Sequence, residues 1–155
     1  MTNRRPNREP VFLAVYGTLM TGQANALDRG VQARMKRRGR CYIPGKIVEI
    51  GGDRRGSRYP GLILAGSWDN SLVIGELFVV GDDDRSAADV LRDLDAYEEY
   101  IPDNPAESEY SRRFVTVFLD RDRIKERGAW VYVYNKPIAG LTIIESGDWA
   151  RFVKK

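Results

Sequence analysis

Two places in this chain carry residues whose type and spacing suit chemistry: a glutamate at a helix end and a glycine turn after a strand. Glu98 follows Ala87, Val90, Leu91, Leu94 and Tyr97, whose helical intervals define a single apolar stripe. It lies four residues beyond Leu94 and seven beyond Leu91, so it continues that stripe, while Glu99, about 100° further round, faces solvent. A carboxylate directed at a core or cleft is costly unless it is hydrogen-bonded or lines a cavity. Partial burial raises its pKa toward the range in which a general acid or base works near neutral pH. On spacing alone, a frayed helix end or an ion pair with Arg112 or Arg113 accommodates the same residue.

The glycine turn closes the segment Val11–Met20, V-F-L-A-V-Y-G-T-L-M. An unbroken apolar run from Val11 to Val15 reads as a strand buried on both faces. It ends in Tyr16-Gly17-Thr18, where the conformational freedom of Gly17 lets the chain turn and present bare N–H groups to an anion. An ordinary strand-ending turn is the alternative. Neither G-x-x-x-x-G-K-[ST] nor G-x-G-x-x-G follows, so a small carboxylate or a developing oxyanion fits better than a nucleotide.

Composition removes most competing chemistries. The 155 residues contain no histidine, which excludes Ser-His-Asp and Cys-His catalysis and histidine-based zinc sites. Proton transfer falls to a carboxylate, a lysine or a tyrosine. A single cysteine, Cys41, forms no internal disulfide, fits a reducing cytoplasm and reads as a packed thiol. The acidic triplet Asp82–Asp84 lacks the alternating spacing of a calcium loop. Net charge is a modest +3, with the excess of basic residues in the first half. The densest basic run, Arg34 to Arg40, reads as a solvated strand edge or loop rather than a nucleic-acid surface. No apolar run is long enough to span a bilayer. Residues 1–10 read as a short disordered lead-in without a signal-peptide core, and residues 11–155 as a single domain.

The elements that must position Glu98 and the turn are mostly strands. After Val11–Tyr16 come a loop to Gly30, with a helical turn near Ala24–Leu27, and short strands Arg40–Ile43 and Lys46–Ile50 around Pro44-Gly45. A basic glycine-rich loop at 51–57 precedes strands Leu62–Ala65 and Val73–Val80, the latter with Gly75 marking a bulge. Ser86 caps a helix running to Tyr97, with Asp89 at the capping-box position. Ile101–Ser108 is a loop, and Glu107 and Glu109 read as solvated loop acids. Arg112–Asp120 and Ala129–Asn135 form a hairpin, and Ser146-Gly147-Asp148-Trp149 opens a terminal helix. Many strands with one strong helix argue for an α+β domain on a mixed sheet or partly closed barrel.

Four motifs in order resemble the γ-glutamylcyclotransferase-like family. Val15–Met20, V-Y-G-T-L-M, is similar to the family's Tyr-Gly-[Ser/Thr]-Leu loop. Tyr59-Pro60-Gly61-Leu62 is similar to its Y-P-G-[LI] segment. Leu94-Asp95-Ala96-Tyr97-Glu98 resembles L-D-x-x-E and is followed by Tyr110-Ser111-Arg112, like Y-x-R. The fourth is Trp130–Tyr134 followed by Ser146–Trp149. Together they run from about residue 11 to 150. One departure is Glu99-Tyr100 where the family often has Gly-Tyr.

The resemblance implies a mixed β-barrel flanked by a few helices, with a cavity between the first loop and the helix end. It implies Glu98 as the catalytic acid/base, with Tyr16, Gly17, Thr18, Leu19, Tyr59 and Tyr110 binding substrate. The implied reaction releases 5-oxoproline from a γ-glutamyl amine or peptide by intramolecular aminolysis. It needs no metal and no cofactor, and its partner is a small-molecule γ-glutamyl substrate rather than nucleic acid or membrane. A non-catalytic carboxylate binder of the same fold and a basic interaction module built on Arg34–Arg40 are the competing classes.

Overall fold

The structure, a computed structural model, describes residues 10–17, 34–51, 58–66, 70–81, 86–98, 100–101 and 103–153. Its elements are β1 (Val11–Val15), β2 (Met35–Ile50), β3 (Tyr59–Leu64), β4 (Leu72–Val80), α1 (Ala87–Tyr97), a 3₁₀ turn (Pro105–Glu107), β5 (Tyr110–Phe118), β6 (Glu126–Tyr134), β7 (Thr142–Ile144) and α2 (Trp149–Val153). Strands pair in the order β2-β4-β1-β6-β5, and β5 returns to β2 through Tyr42 and Phe118, which closes a five-stranded barrel. All these pairings are antiparallel except β1 with β6, so the barrel is mixed.

The expected short strands on either side of Pro44-Gly45 are one strand of 16 residues. Its upper part pairs with β4 as far as Pro44 opposite Leu72, and its lower part pairs with β3 from Gly45 opposite Leu64. Pro44 and Gly45 therefore mark a change of partner and not a break. A Cβ on Gly45 would lie 2.4 Å from the Ile63 carbonyl oxygen, so glycine permits the close approach of β3. Beyond this point β7, a strand with no clear signal in its three residues, pairs with the same part of β2.

One further expectation changes and one holds. The register shift lies in β2 between Arg37 and Gly39, whereas Gly75 pairs in register with Cys41. Gly75 is small because a Cβ would meet the Val15 carbonyl oxygen at 2.5 Å. The basic run belongs to β2, paired with β4, and Lys36, Arg37, Arg38 and Arg40 are solvent-exposed on it. The segments around Ala24–Leu27, 52–57 and Asp82–Asp84 lie outside the described residues.

Strand β1 is the shared wall of two cores, as its unbroken apolar run requires. Leu13 and Val15 face a cluster with Phe78, Val90, Leu91, Leu94, Tyr110 and Tyr132, where α1 packs on the barrel's outside. Ala14 and Tyr16 face the barrel interior with Cys41, Ile43, Leu77, Val117, Val131 and Trp149. Cys41 is buried, and burial, helped by Glu76, pushes its thiol up to about 12, which leaves it a packing group. Helix α1 starts as its sequence predicts: the Ser86 hydroxyl accepts from Asp89 N at 3.2 Å. It ends at Glu98, whose N–H donates to Leu94 O at 2.9 Å.

The helix is held by its apolar stripe more than by propensity, since eleven residues form a marginal helix in isolation. Leu94→Ala is expected to cost about 2–5 kcal/mol in urea unfolding, and the exposed Arg92→Ala less than about 0.5. A cost below about 1 kcal/mol for Leu94→Ala would contradict this packing of α1.

Candidate active site

The motif segments converge on β3. Tyr16 leaves β1 pointing into the barrel, and its hydroxyl donates to Tyr132 O at 2.6 Å and accepts from Leu62 N at 3.1 Å. The Tyr110 hydroxyl donates to Pro60 O at 2.7 Å. The Tyr59 hydroxyl donates to a carboxylate oxygen of Glu109. Two glycines let these segments touch. A Cβ on Gly17 would lie 2.5 Å from Pro60 Cγ, and one on Gly61 would lie 2.9 Å from the Tyr134 Cβ and Cγ. Gly17 is not in the left-handed region, so its glycine is required by contact with Pro60 and not by the turn's backbone angles.

At the other side of this cluster, the end of α1 presents two carboxylates with different fates. Asp95 is buried, and Arg112 grips both its oxygens, Nε to Oδ1 at 2.7 Å and Nη2 to Oδ2 at 3.1 Å. The Tyr132 hydroxyl adds a third bond to Oδ1 at 2.7 Å. The Arg112 guanidinium also stacks over the Trp130 ring at 4.5 Å. Arg112 is therefore spoken for, and among the described residues no ion pair reaches Glu98. The alternative reading of Glu98 as the partner of Arg112 is set aside by this geometry.

Burial raises the Glu98 carboxyl to about 7, and the nearby Glu109 carboxylate adds to the rise. Its charge is felt in turn by Tyr16, Tyr110 and Tyr132, whose hydroxyls are all pushed well above the ordinary tyrosine value, first by burial. The phenols therefore stay neutral near pH 7, and the group poised to exchange a proton is Glu98.

Glu98, Tyr16, Gly17, Tyr59 and Tyr110 thus come together, while Thr18 and Leu19 lie outside the described residues. The hydroxyls of Tyr16 and Tyr110 are occupied by main-chain partners and act as clamps on β3. Glu109 corrects the expectation of a solvated loop acid: it is half-buried, hydrogen-bonded by Tyr59 and electrostatically coupled to Glu98. Its position one residue before the first residue of β5, beside the Y-x-R motif, was the available signal. Glu107 is exposed, as expected. Among the described residues no three histidine, cysteine, aspartate or glutamate side chains gather to hold a metal ion. No helix among them is long and apolar enough to cross a membrane.

A closed five-stranded mixed barrel with a helix on its flank is the fold of the γ-glutamylcyclotransferase-like class of small α+β barrels. Residues 13–151 match the family described as gamma-glutamyl cyclotransferase, AIG2-like, and the chain belongs to this family. It is 30% identical over 91 residues to the γ-glutamylcyclotransferase family protein YtfP of Escherichia coli K12 and to that of Citrobacter rodentium. Those matches cover 59% of this chain and 60% of each relative, so the chain spans about three-fifths of the length of the curated relatives it matches. Among solved structures, an AIG2-like protein from Mus musculus superposes with a TM-score of 0.60 at 25% identity, covering 89% of this chain and 88% of that one. The solution structure of YtfP from Escherichia coli gives 0.55 at 25% identity, covering 90% and 96%.

The raised Glu98 pKa has a stability signature. The folded chain keeps a proton there that the unfolded chain loses near 4.5, so this contribution to stability falls as pH rises from about 4.5 to 7. Glu98→Gln removes the slope. Relative to the wild type it is expected to gain stability between pH 5 and pH 8, by at most about 3 kcal/mol. Direct NMR titration is expected to place the Glu98 carboxyl at about 7 and to move it down in Glu109→Gln. An ordinary carboxylate titration near 4.5 would contradict the burial.

Proposed function

We propose that this protein is a cyclotransferase that releases 5-oxoproline from a γ-glutamyl amine or peptide. The observation that carries this reading is the partly buried Glu98 carboxyl, raised to about 7 and without a cation among the described residues, in a chain of this family. The γ-glutamyl head folds so that its α-nitrogen attacks its own γ-carbonyl carbon. A new carbon–nitrogen bond closes the five-membered lactam, and the bond from that carbon to the departing amine breaks. Glu98 accepts a proton from the α-ammonium, whose ordinary pKa is about 7.7–8.0. It gives that proton to the departing nitrogen, then takes the second proton that the α-nitrogen sheds on becoming the lactam N–H. It passes this one to the released amine, which leaves as an ammonium, so the step consumes no water and leaves the carboxylate as it began. A base near 7 and an acid near 8 are well matched for this transfer.

The chain's remaining contribution is positional. Nucleophile and electrophile share one molecule, so holding the folded conformer supplies much of the rate. Tyr16 and Tyr110, pinned by main-chain bonds, form a rigid wall for that conformer, and the Gly17 end of β1 supplies backbone for the substrate's α-carboxylate or carbonyl oxygen. Glu109, beside Glu98, adds negative charge where the α-ammonium must sit.

Purified protein incubated with γ-glutamyl amines, γ-glutamyl-lysine and glutathione-type peptides is expected to form 5-oxoproline from at least one of them. Glu98→Gln is expected to lower that rate at least about a thousandfold while keeping the wild-type circular dichroism, consistent with loss of a general acid/base. The exposed Glu107→Gln is expected to keep the wild-type rate. Full activity in Glu98→Gln would overturn the proposal.

A further inference from the structure

The barrel has a second mouth, at the opposite end of β1. Val11 and Phe12 lie there, about 17 Å and about 13 Å from Tyr16 along the strand. Strand β6 runs parallel to β1 with Trp130 level with Leu13, so Arg127 and Gly128 arrive at the same end. Between them is a cavity of about 680 Å³ that includes neither Glu98 nor any of the tyrosines beside it, and meets the surroundings of that site only at Trp130, the ring under Arg112. That size suits a small organic molecule.

Its floor is apolar, made by Phe12 and Leu77, both packed against the barrel-interior core. One wall is aromatic. Phe114 is 62% exposed, yet it is fixed edge-to-face on Trp130 at 5.3 Å. Gly128 lets the ring lie against β6, since a Cβ there would meet Phe114 Cζ at 2.5 Å. An exposed phenylalanine held this firmly is an apolar surface kept in place.

The rim is cationic. Arg38, Arg40 and Arg127 line the cavity, and none of its lining residues among those described is acidic. The neighbouring Glu76 is paired with Arg37 at 2.8 Å. Arg127 sits over the Phe12 ring at 5.6 Å, which sets its guanidinium above the floor. The register shift in β2 leaves Arg38 without a partner on β4, between Arg37 opposite Phe78 and Gly39 opposite Leu77. Gly39 has φ +142° although a Cβ on it would touch nothing within 4 Å. Glycine is needed there for the backbone and not for space, so the bulge is a built feature that re-aims the flanking arginines.

We infer that this mouth is a second binding site, for a small organic anion with an apolar body and one carboxylate, sulfonate or phosphate head. The arginine forks match the oxygens of such a head, and the apolar floor takes its body. This inference is independent of the chemistry at Glu98.

The test uses the aromatic sulfonate 8-anilinonaphthalene-1-sulfonate as probe, read by fluorescence. Expected are saturable binding at one site per chain and at least a tenfold loss of affinity in the double variant Arg40→Gln/Arg127→Gln. The neutral analogue N-phenyl-1-naphthylamine is expected to bind at least tenfold more weakly than the sulfonate. Phe114→Ala is expected to weaken the sulfonate several-fold, and Glu98→Gln to leave it unchanged. The charge-keeping double variant Arg40→Lys/Arg127→Lys is expected to retain affinity within about threefold, which separates loss of charge from loss of fold. Undiminished binding in the Gln double variant, equal affinity for the neutral analogue, or loss of binding in Glu98→Gln would each overturn the inference.

Discussion

The grip of Arg112 on Asp95 is the interaction on which the proposed site depends. One turn of helix carries two carboxylates three residues apart, and one arginine lies within reach of the first. Both oxygens of Asp95 are taken by that arginine and one also by Tyr132, so a buried charge is fully satisfied. Removing one partner of such a pair typically costs about 3–5 kcal/mol, which holds the arrangement in place. The consequence falls on Glu98, which keeps the burial but receives no cation among the described residues. Burial without a counter-charge is the physical condition for a carboxyl that titrates near neutral pH.

The tyrosines complete the condition by being unavailable for chemistry. Tyr16 ties β1 to β6 and β3 through two main-chain bonds, and Tyr110 ties β5 to β3 through Pro60. Their hydroxyls stay protonated because burial and the nearby carboxylate both oppose ionisation. Fixed in this way, they leave Glu98 as the group, among those described, whose pKa is raised to near neutral. Gly17, Pro60 and Gly61 belong to the same device, since the close contacts of Gly17 with Pro60 and of Gly61 with Tyr134 draw the β1 end and β6 onto β3.

Much of this was legible in the residues. The stripe from Ala87 through Leu94 aims Glu98 inward because helical periodicity is local, and the Ser86 cap follows from the same segment. The two-sided burial of β1 follows from its unbroken apolar run. What escaped was long-range. The continuity of β2 through Pro44-Gly45 depends on a change of partner from β4 to β3, which no local pattern encodes. The reason for Gly17 lies 43 residues away at Pro60. Glu109 looked solvated because its partner Tyr59 is 50 residues distant in sequence, and the cation over which Asp95 and Glu98 compete is assigned only by the fold.

The central claim, that Glu98 is the proton carrier, is met most directly by the pH dependence of kcat/KM for 5-oxoproline formation in the free enzyme. The expected profile loses about tenfold per pH unit on its acid side, breaking at about 7 where burial places Glu98. A rate that holds level from pH 7 down to pH 5 would contradict the assignment.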